Sequence, residues 1–370
     1  MGKEKISRRF FIMATASGMA MMAASRRVLG QSAELEWHNV QDWGVEGKGW
    51  RDTLNYFERL PRKAQVSVRE PVWQLSRHAT GMHVQFISDA TTIQVRYTLL
   101  SARLALPNMP ATGVSGLDLY AKDAQGIDRW VSVVAPTNQI MDVPLATEDF
   151  ELGRRHYTLY LPLHNSVGSL EIGVEAGTFF EPVMPRTEKP MVFYGTSIMQ
   201  GLCASRPGIA FPAILGRRLN RPFLNLGFSG NGTMDVEVGA LLGELEACVF
   251  VIDCLPNMGE ELIVERTEPF VRQLREAQPT TPILLVEDRT FPNTPFYFDR
   301  AAFLKRRRDA FRRAYQKLLD EGIEQLYYLE GDHLVGHDSE GSTDGTHPND
   351  LGMMRYADEY EPVLRSILTS

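Results

Sequence analysis

Near residue 180 the hydrophobic pattern of this chain changes period, and few folds can satisfy both halves. From roughly Trp37 to Gly177 apolar and polar residues alternate, as in Met82/Val84/Phe86, Ile93/Val95/Tyr97, Leu117/Leu119 and Tyr157/Leu159/Leu161. Strict alternation is the mark of strands with one face in a core and one in water. Turn clusters such as Asp123-Ala124-Gln125-Gly126 separate the runs, with no helix-length segment among them, so the pattern predicts a β-sandwich-like domain over 31–180. Phe179 to Pro190, with Pro182, Pro185 and Pro190, reads as a linker. Beyond it, unbroken apolar runs at 191–194, 222–226, 248–252, 282–286 and 325–329 alternate with helical segments near 208–219, 235–245, 260–277, 299–321 and 349–368. A strand that is apolar at every position is buried on both faces, so residues 190–370 are predicted to form a five-stranded parallel sheet flanked by helices, an α/β domain. A length of 370 residues suits two such domains, each with its own core.

The first thirty residues belong to neither. Lys3, Lys5, Arg8 and Arg9 precede an apolar stretch from Phe10 to Ala24, and Val28-Leu29-Gly30 places a small residue before a cut at Gln31. This is the layout of a secretory signal, and Ser7-Arg8-Arg9-Phe10-Phe11-Ile12 resembles the twin-arginine export signal. The apolar stretch falls short of the roughly 20 residues of a spanning helix, so no stable membrane anchor is expected and the chain is expected to be exported. Removing Met1–Gly30 leaves 33 basic residues against 45 acidic, a formal charge of −12. That sign argues against a nucleic-acid partner. The run Lys305-Arg306-Arg307-Arg308 sits among Phe303, Leu304, Phe311, Tyr315 and Leu318 at helical spacing and reads as the solvated face of a helix. Three cysteines, Cys203, Cys248 and Cys254, make no disulfide framework and show no metal-ligand spacing. All five tryptophans fall before residue 131, where they either fill the sandwich core or, if exposed, stack on sugar rings.

Candidate chemistry begins at the first predicted parallel strand. Met191-Val192-Phe193-Tyr194 runs into Gly195-Thr196-Ser197, which places a serine at the carboxyl end of a buried strand, where open α/β sheets bind their ligands. A serine hydroxyl is a weak nucleophile and needs a base and a group that orients the base. Asp344-Gly345-Thr346-His347-Pro348 offers both: a tight turn can bring the Asp344 carboxylate to Nδ1 of His347 and leave Nε2 for Ser197. Taken alone, Asp-x-x-His also describes a solvated loop, and His333 and His337 are rival bases. Ser229-Gly230-Asn231-Gly232 follows the second strand and Asn257 the third, so the Gly230 N–H and the Asn257 amide are candidate donors to a developing oxyanion. Their alternatives are a plain turn and a cap for the helix that starts near Gly259. Arg289, after the fourth strand, is a candidate for a substrate oxygen or for an ion pair with Asp288 or Glu287, and Phe291, Phe296, Tyr297 and Phe298 form a loop for a pocket wall or for core packing.

Taken together, Gly195-Thr196-Ser197, Gly230, Asn257 and Asp344-x-x-His347 resemble the four blocks of the SGNH, or GDSL-type, hydrolases over roughly 190–368. Gly116-Leu117-Asp118-Leu119-Tyr120 resembles the GxDLY motif of a β-rich domain that precedes some SGNH esterases. The resemblance implies a Ser197–His347–Asp344 triad with Ser197, Gly230 and Asn257 as the oxyanion hole. Two departures stand out: Thr196 replaces the usual aspartate, and Leu255-Pro256-Asn257-Met258 replaces Gly-x-Asn-Asp. Gly-x-Ser-x-Gly is missing, since Met199 stands two after Ser197, which argues against the nucleophile elbow of α/β-hydrolases. The expected function is a secreted serine esterase acting through an acyl-enzyme on short acyl esters, acetyl first, of a carbohydrate or similar polar substrate. No metal or cofactor is implied, and the expected partner is a small-molecule or glycan ester. An acyltransferase with the same triad and a non-catalytic glycan-binding protein are the alternatives.

Overall fold

The structure is a computed structural model that describes residues 34–147, 150, 151 and 153–369. The expected export signal at 1–30 lies outside them. From Leu35 onward the chain packs as one compact unit. Its first part holds β1 (Leu35–Asn39), α1 (Glu70–Ser76), β2 (His83–Ser88), β3 (Ile93–Leu99), α2 (Ala111–Val114), β4 (Asp118–Lys122), β5 (Asp128–Val133), β6 (Ile140–Ala146), β7 (Arg155–Tyr160), β8 (Val167–Glu175) and β9 (Phe180–Val183). These make two antiparallel sheets, in the orders β1-β8-β3-β6 and β5-β4-β7-β2-β9. The alternating residues meet between the sheets: Val95 and Tyr97 of β3 and Ile172 and Val174 of β8 pack in one core with Val84 and Phe86 of β2 and Tyr157 and Leu159 of β7. The period-two pattern is satisfied there, because β2, β3, β7 and β8 each turn one face into that core.

The second part holds β10 (Met191–Gly195), α3 (Ser197–Gln200), α4 (Phe211–Leu219), β11 (Phe223–Gly227), α5 (Val236–Leu242), β12 (Val249–Asp253), α6 (Glu260–Ala277), β13 (Ile283–Val286), α7 (Phe298–Asp320), β14 (Leu326–Leu329) and α8 (Asp350–Thr369). The five strands are parallel in the order β11-β10-β12-β13-β14. Successive side chains feed opposite faces. Val192, Tyr194, Leu224, Phe250, Ile252 and Leu285 pack with α5, α6 and α7, whereas Met191, Phe193, Val249, Val251, Leu284 and Val286 pack with α4 and α8. Truncating a residue of this kind, Phe193→Ala for example, costs about 3–5 kcal/mol through lost burial and the cavity left behind. The chain leaves β10 toward β11 on one side and returns to β12 on the other. The carboxyl end of β10 therefore lies at the switch point of the sheet, where a crevice opens.

The two parts are cross-linked. Asp118, the acid of the GxDLY motif, is fully buried and accepts from Arg206 Nη1 (3.0 Å), Gly208 N (2.8 Å) and Trp130 Nε1 (3.0 Å), so it ties β4 to the chain between α3 and α4. The buried Arg59 donates to the Asn225 and Gly227 carbonyls of the edge strand β11 (3.0 and 2.7 Å) and to those of Leu75 and His78. This covers a sheet edge that would otherwise present unpaired carbonyls.

Several local expectations change. Residues 50–80 contain no strand: α1 lies there, Trp73 is buried in the core of the parallel sheet, and Phe57 and Ala79 pack in the sandwich core. The proline-rich stretch after Phe179 opens with β9, which pairs with β2, since an edge strand tolerates Pro182. In the basic run Lys305 and Arg306 are exposed, but Arg307 and Arg308 are buried against Asp288, Glu287 and Asp332. The acids that neutralise them arrive from the end of β13 and the loop after β14, which helical spacing within α7 does not reveal.

Candidate active site

Ser197 opens α3 directly after β10. Thr196 is the N-cap, its Oγ1 accepting from Ile198 N (3.3 Å), and Gly201 ends the helix in the left-handed conformation at φ +88°. The turn leaves the Ser197 N–H without a partner among the described residues, as expected of the first residue of a helix. Ser197 Oγ lies 2.9 Å from His347 Nε2, and His347 Nδ1 lies 2.8 Å from Asp344 Oδ2. The structure thus brings Ser197, His347 and Asp344 into one hydrogen-bonded row. The rivals stand elsewhere, with His333 Nδ1 and His337 Nε2 2.7 Å from each other.

Asp344 serves its own loop as well as the histidine. Its Oδ1 accepts from Thr346 N (3.0 Å) and His347 N (2.8 Å), and its Oδ2 also accepts from Asn108 Nδ2 (2.9 Å). Burial works against the charge, but the His347 backbone and ring bonds and the Asn108 bond outweigh it and hold the carboxyl well below the usual carboxylate range. The Asp344–His347 loop is tethered from outside by Arg289, whose Nε donates to Thr346 O (3.0 Å). Arg289 is buried and paired with Asp288, so of its two readings the structural ion pair holds. Phe291 lies under the Arg289 guanidinium at 4.2 Å, while Phe296 and Tyr297 are exposed. Cys203, Asp344 and His347 are the one group of three or more His, Cys, Asp or Glu side chains among the described residues close enough to share a metal ion. The Cys203 thiol is pushed up to about 12 by burial and by the Asp344 charge, so it stays neutral beside the row.

The candidate oxyanion donors follow β11 and β12. Gly230 sits at φ +71°, a backbone conformation that favours glycine, and its N–H has no partner among the described residues. Gly232 is pressed on the end of β10: a Cβ there would stand 2.0 Å from Gly195 O. With its amide oriented by its hydrogen bonds, the Asn257 carbonyl accepts from Asn231 N (3.0 Å) and Gly232 N (3.2 Å), leaving the NH2 as the end free for a ligand. Asn257 does not cap α6, whose N-cap is Gly259 without a side-chain bond.

Three supporting residues were not visible in the sequence. Gln200, fully buried, accepts from Ser229 N (2.9 Å) and donates to His78 Nδ1 (3.0 Å) and Leu163 O (3.2 Å), locking the Gly230 loop to α3. Arg69 holds Asn231 through its side-chain oxygen (2.8 Å) and its carbonyl (3.0 Å). Asn108 reaches Asp344 from the sandwich. None sits in a motif, and the signal for each is only a polar residue in a contact distant along the chain.

A Ser-His-Asp row at the switch point of a five-stranded parallel sheet, with a glycine loop and an asparagine after the next two strands, defines a serine hydrolase distinct from the α/β-hydrolases. Residues 188–365 match the GDSL-like lipase/acylhydrolase family, and residues 35–180 match the N-terminal domain of SGNH-hydrolase-type esterases. The crystal structure of a GDSL-like lipase from Bacteroides ovatus is 32% identical, with a TM-score of 0.86 over 91% of this chain and 98% of that one. The chain therefore belongs to the GDSL-like, or SGNH, hydrolases and is an esterase of that family carrying the GxDLY-type domain. At the level of fold it is similar to the salicylyl-acyltransferase SsfX3 from a tetracycline biosynthetic pathway (18% identity, TM-score 0.71, 90% of this chain and 97% of that one). It is similar in the same way to the acetyl xylan esterase Est2A from Butyrivibrio proteoclasticus (11% identity, TM-score 0.56, 90% and 99%). No curated protein sequence matches significantly.

Proposed function

We propose that this protein is an exported serine esterase that removes short acyl groups, acetyl first, from a carbohydrate or similar polar ester. The observation that carries the chemistry is the Ser197–His347–Asp344 row, with both hydrogen bonds under 3 Å. Ser197 Oγ attacks the ester carbonyl while His347 Nε2 takes its proton. Asp344 orients the ring and stabilises the imidazolium. The Ser197 and Gly230 N–H groups and the Asn257 amide hold the oxyanion. His347 then returns the proton to the leaving alcohol, and water activated by the same imidazole releases the acid.

Three lines support the substrate and location. The fold is shared with an acetyl xylan esterase, the sequence after Gly30 is strongly acidic, and Met1–Gly30 has the layout of a twin-arginine signal. No helix among the described residues is long and apolar enough to cross a membrane. The test is a series of p-nitrophenyl esters alongside acetylated oligosaccharides and triglycerides. Acetate should be cleaved far faster than esters of about eight carbons or more, because each methylene a pocket accepts or excludes shifts kcat/KM by about 1–3 kcal/mol. A preference that climbs with chain length overturns the acetyl reading. The likeness to a salicylyl-acyltransferase favours a second reading, in which an acceptor hydroxyl replaces water in deacylation. Product analysis with and without an acceptor alcohol separates the two.

A further inference from the structure

A carboxylate offers four lone-pair sites. In Asp344 three are filled from within its own loop, by the backbone N–H groups of Thr346 and His347 on Oδ1 and by the His347 ring on Oδ2. The fourth is filled by Asn108, 236 residues away in sequence. Asn108 does not hang loosely over the site. It stands at the tip of a tight turn, with Leu106 N bonded to Met109 O (2.9 Å) and Met109 N to Leu106 O (3.1 Å), and Pro107 at its first corner restricts the backbone. Met109 is buried in the same core as Ile198, Leu202 and Cys203, and Thr112 Oγ1 donates to Ser205 O (2.6 Å). The turn is thereby anchored to the chain that follows the nucleophile helix. That chain is in turn anchored to the start of α8, just past His347, by Ser205 N and Oγ on Asp350 (2.8 and 2.5 Å).

We propose that Asn108 is a positioning residue for the triad: the sandwich region delivers its amide to the last open site of the Asp344 carboxylate, which keeps that carboxylate aimed at the His347 ring. Asp344 is about one-third exposed, with a side-chain exposure of 32%. Without Asn108 its Oδ2 would share water with the ring N–H and turn more freely. The sandwich is then a working part of the catalytic site. This inference rests on the esterase reading above.

The test uses the purified full chain with p-nitrophenyl acetate and compares Asn108→Ala, Asn108→Asp and Ser197→Ala. Loss of a hydrogen bond to a charged group, about 1.5–3 kcal/mol, converts to a fall in kcat of about 10- to 100-fold for Asn108→Ala, with KM within about twofold. Asn108→Asp keeps the shape of the turn but replaces the donor by an acid. The pair then carries a second negative charge beside the imidazolium. The acid limb of the kcat profile should depart from its wild-type course and move up by about one pH unit. A residue that merely packs the turn would leave that profile alone. Wild-type kcat in Asn108→Ala, or an unmoved profile in Asn108→Asp while Ser197→Ala is inactive, overturns the positioning role. Activity in Ser197→Ala instead removes the esterase reading beneath it.

Discussion

The two halves of the proposed triad are held in opposite ways. Ser197 is buried at the end of a strand that is itself buried on both faces, with Gly232 pressed on the turn from one side and Gln200 bridging to the Gly230 loop. His347 and Asp344 sit in a partly exposed loop rich in Gly, Ser and Thr, held by a few hydrogen bonds from Arg289, Ser342 and Asn108. The difference shows where precision comes from. A nucleophile placed by core packing moves only if the fold moves, whereas a base placed by a loop can be detuned one bond at a time. Damage to the packing that holds Ser197 should therefore appear in stability and turnover together, and damage on the base side in turnover first.

Ser197→Ala removes one oxygen and no core volume. Turnover of p-nitrophenyl acetate should fall by about 10⁴-fold or more, with the melting temperature unchanged. A variant that keeps a sizeable fraction of wild-type turnover removes Ser197 from its role. Asn257→Ala should lower kcat by about 10²–10³-fold, with less effect on KM, and an unchanged kcat would leave Asn257 as a brace for the Gly230 loop alone. Gly232→Ala tests the packed side of the comparison. Its Cβ has no room against Gly195 O, so we expect a loss of about 1–3 kcal/mol in denaturant unfolding together with a fall in turnover. Full stability with low activity would contradict the coupling. Ser342→Ala tests the loop side. It removes one bond to the His347 carbonyl (3.0 Å), and kcat should fall only a few-fold, with unfolding changed by about 1 kcal/mol or less.

Acidity offers a further separation. Because hydrogen bonds hold the Asp344 carboxyl well below the usual carboxylate range, its contribution to stability is present above the unfolded pKa of an aspartate and is lost only as pH falls through the depressed folded value. The Asp344 carboxylate therefore keeps its charge to well below neutral pH. The fall of kcat on acidification should follow one proton, ahead of any loss of fold, which kinetics and circular dichroism on the same samples would check. A two-proton limb, or unfolding that tracks the loss of activity, would break the separation.

Much of the fold was legible because its cause is local. Alternation in Val84/Phe86 and continuity in Val192–Tyr194 each report which faces of a strand are buried, and that information is carried by neighbouring residues. Ser197, Gly230, Asn257 and the Asp344–His347 turn could be nominated for the same reason, since their residue types stand at strand ends and in one short loop. The basic run misled because helical spacing describes a helix alone, while the burial of Arg307 and Arg308 depends on Asp288 and Glu287 at the end of another strand. Trp73 was assigned to the wrong core for a similar reason: its sequence neighbourhood says nothing of the parallel sheet whose core it joins.

What the sequence determined by itself is the two periods, the five buried parallel strands with their helices, and the chemical identity of the groups that line the carboxyl edge of that sheet. Tertiary structure alone decided how those groups are braced: Gln200 against Ser229, Arg69 against Asn231, Arg289 against Thr346 and Asn108 against Asp344. A periodic pattern is a property of neighbouring residues and survives being read one segment at a time. A hydrogen bond between a loop of one sheet system and a carboxylate 236 positions away exists only after both cores have packed, and an asparagine between two prolines carries no mark of the partner it will meet.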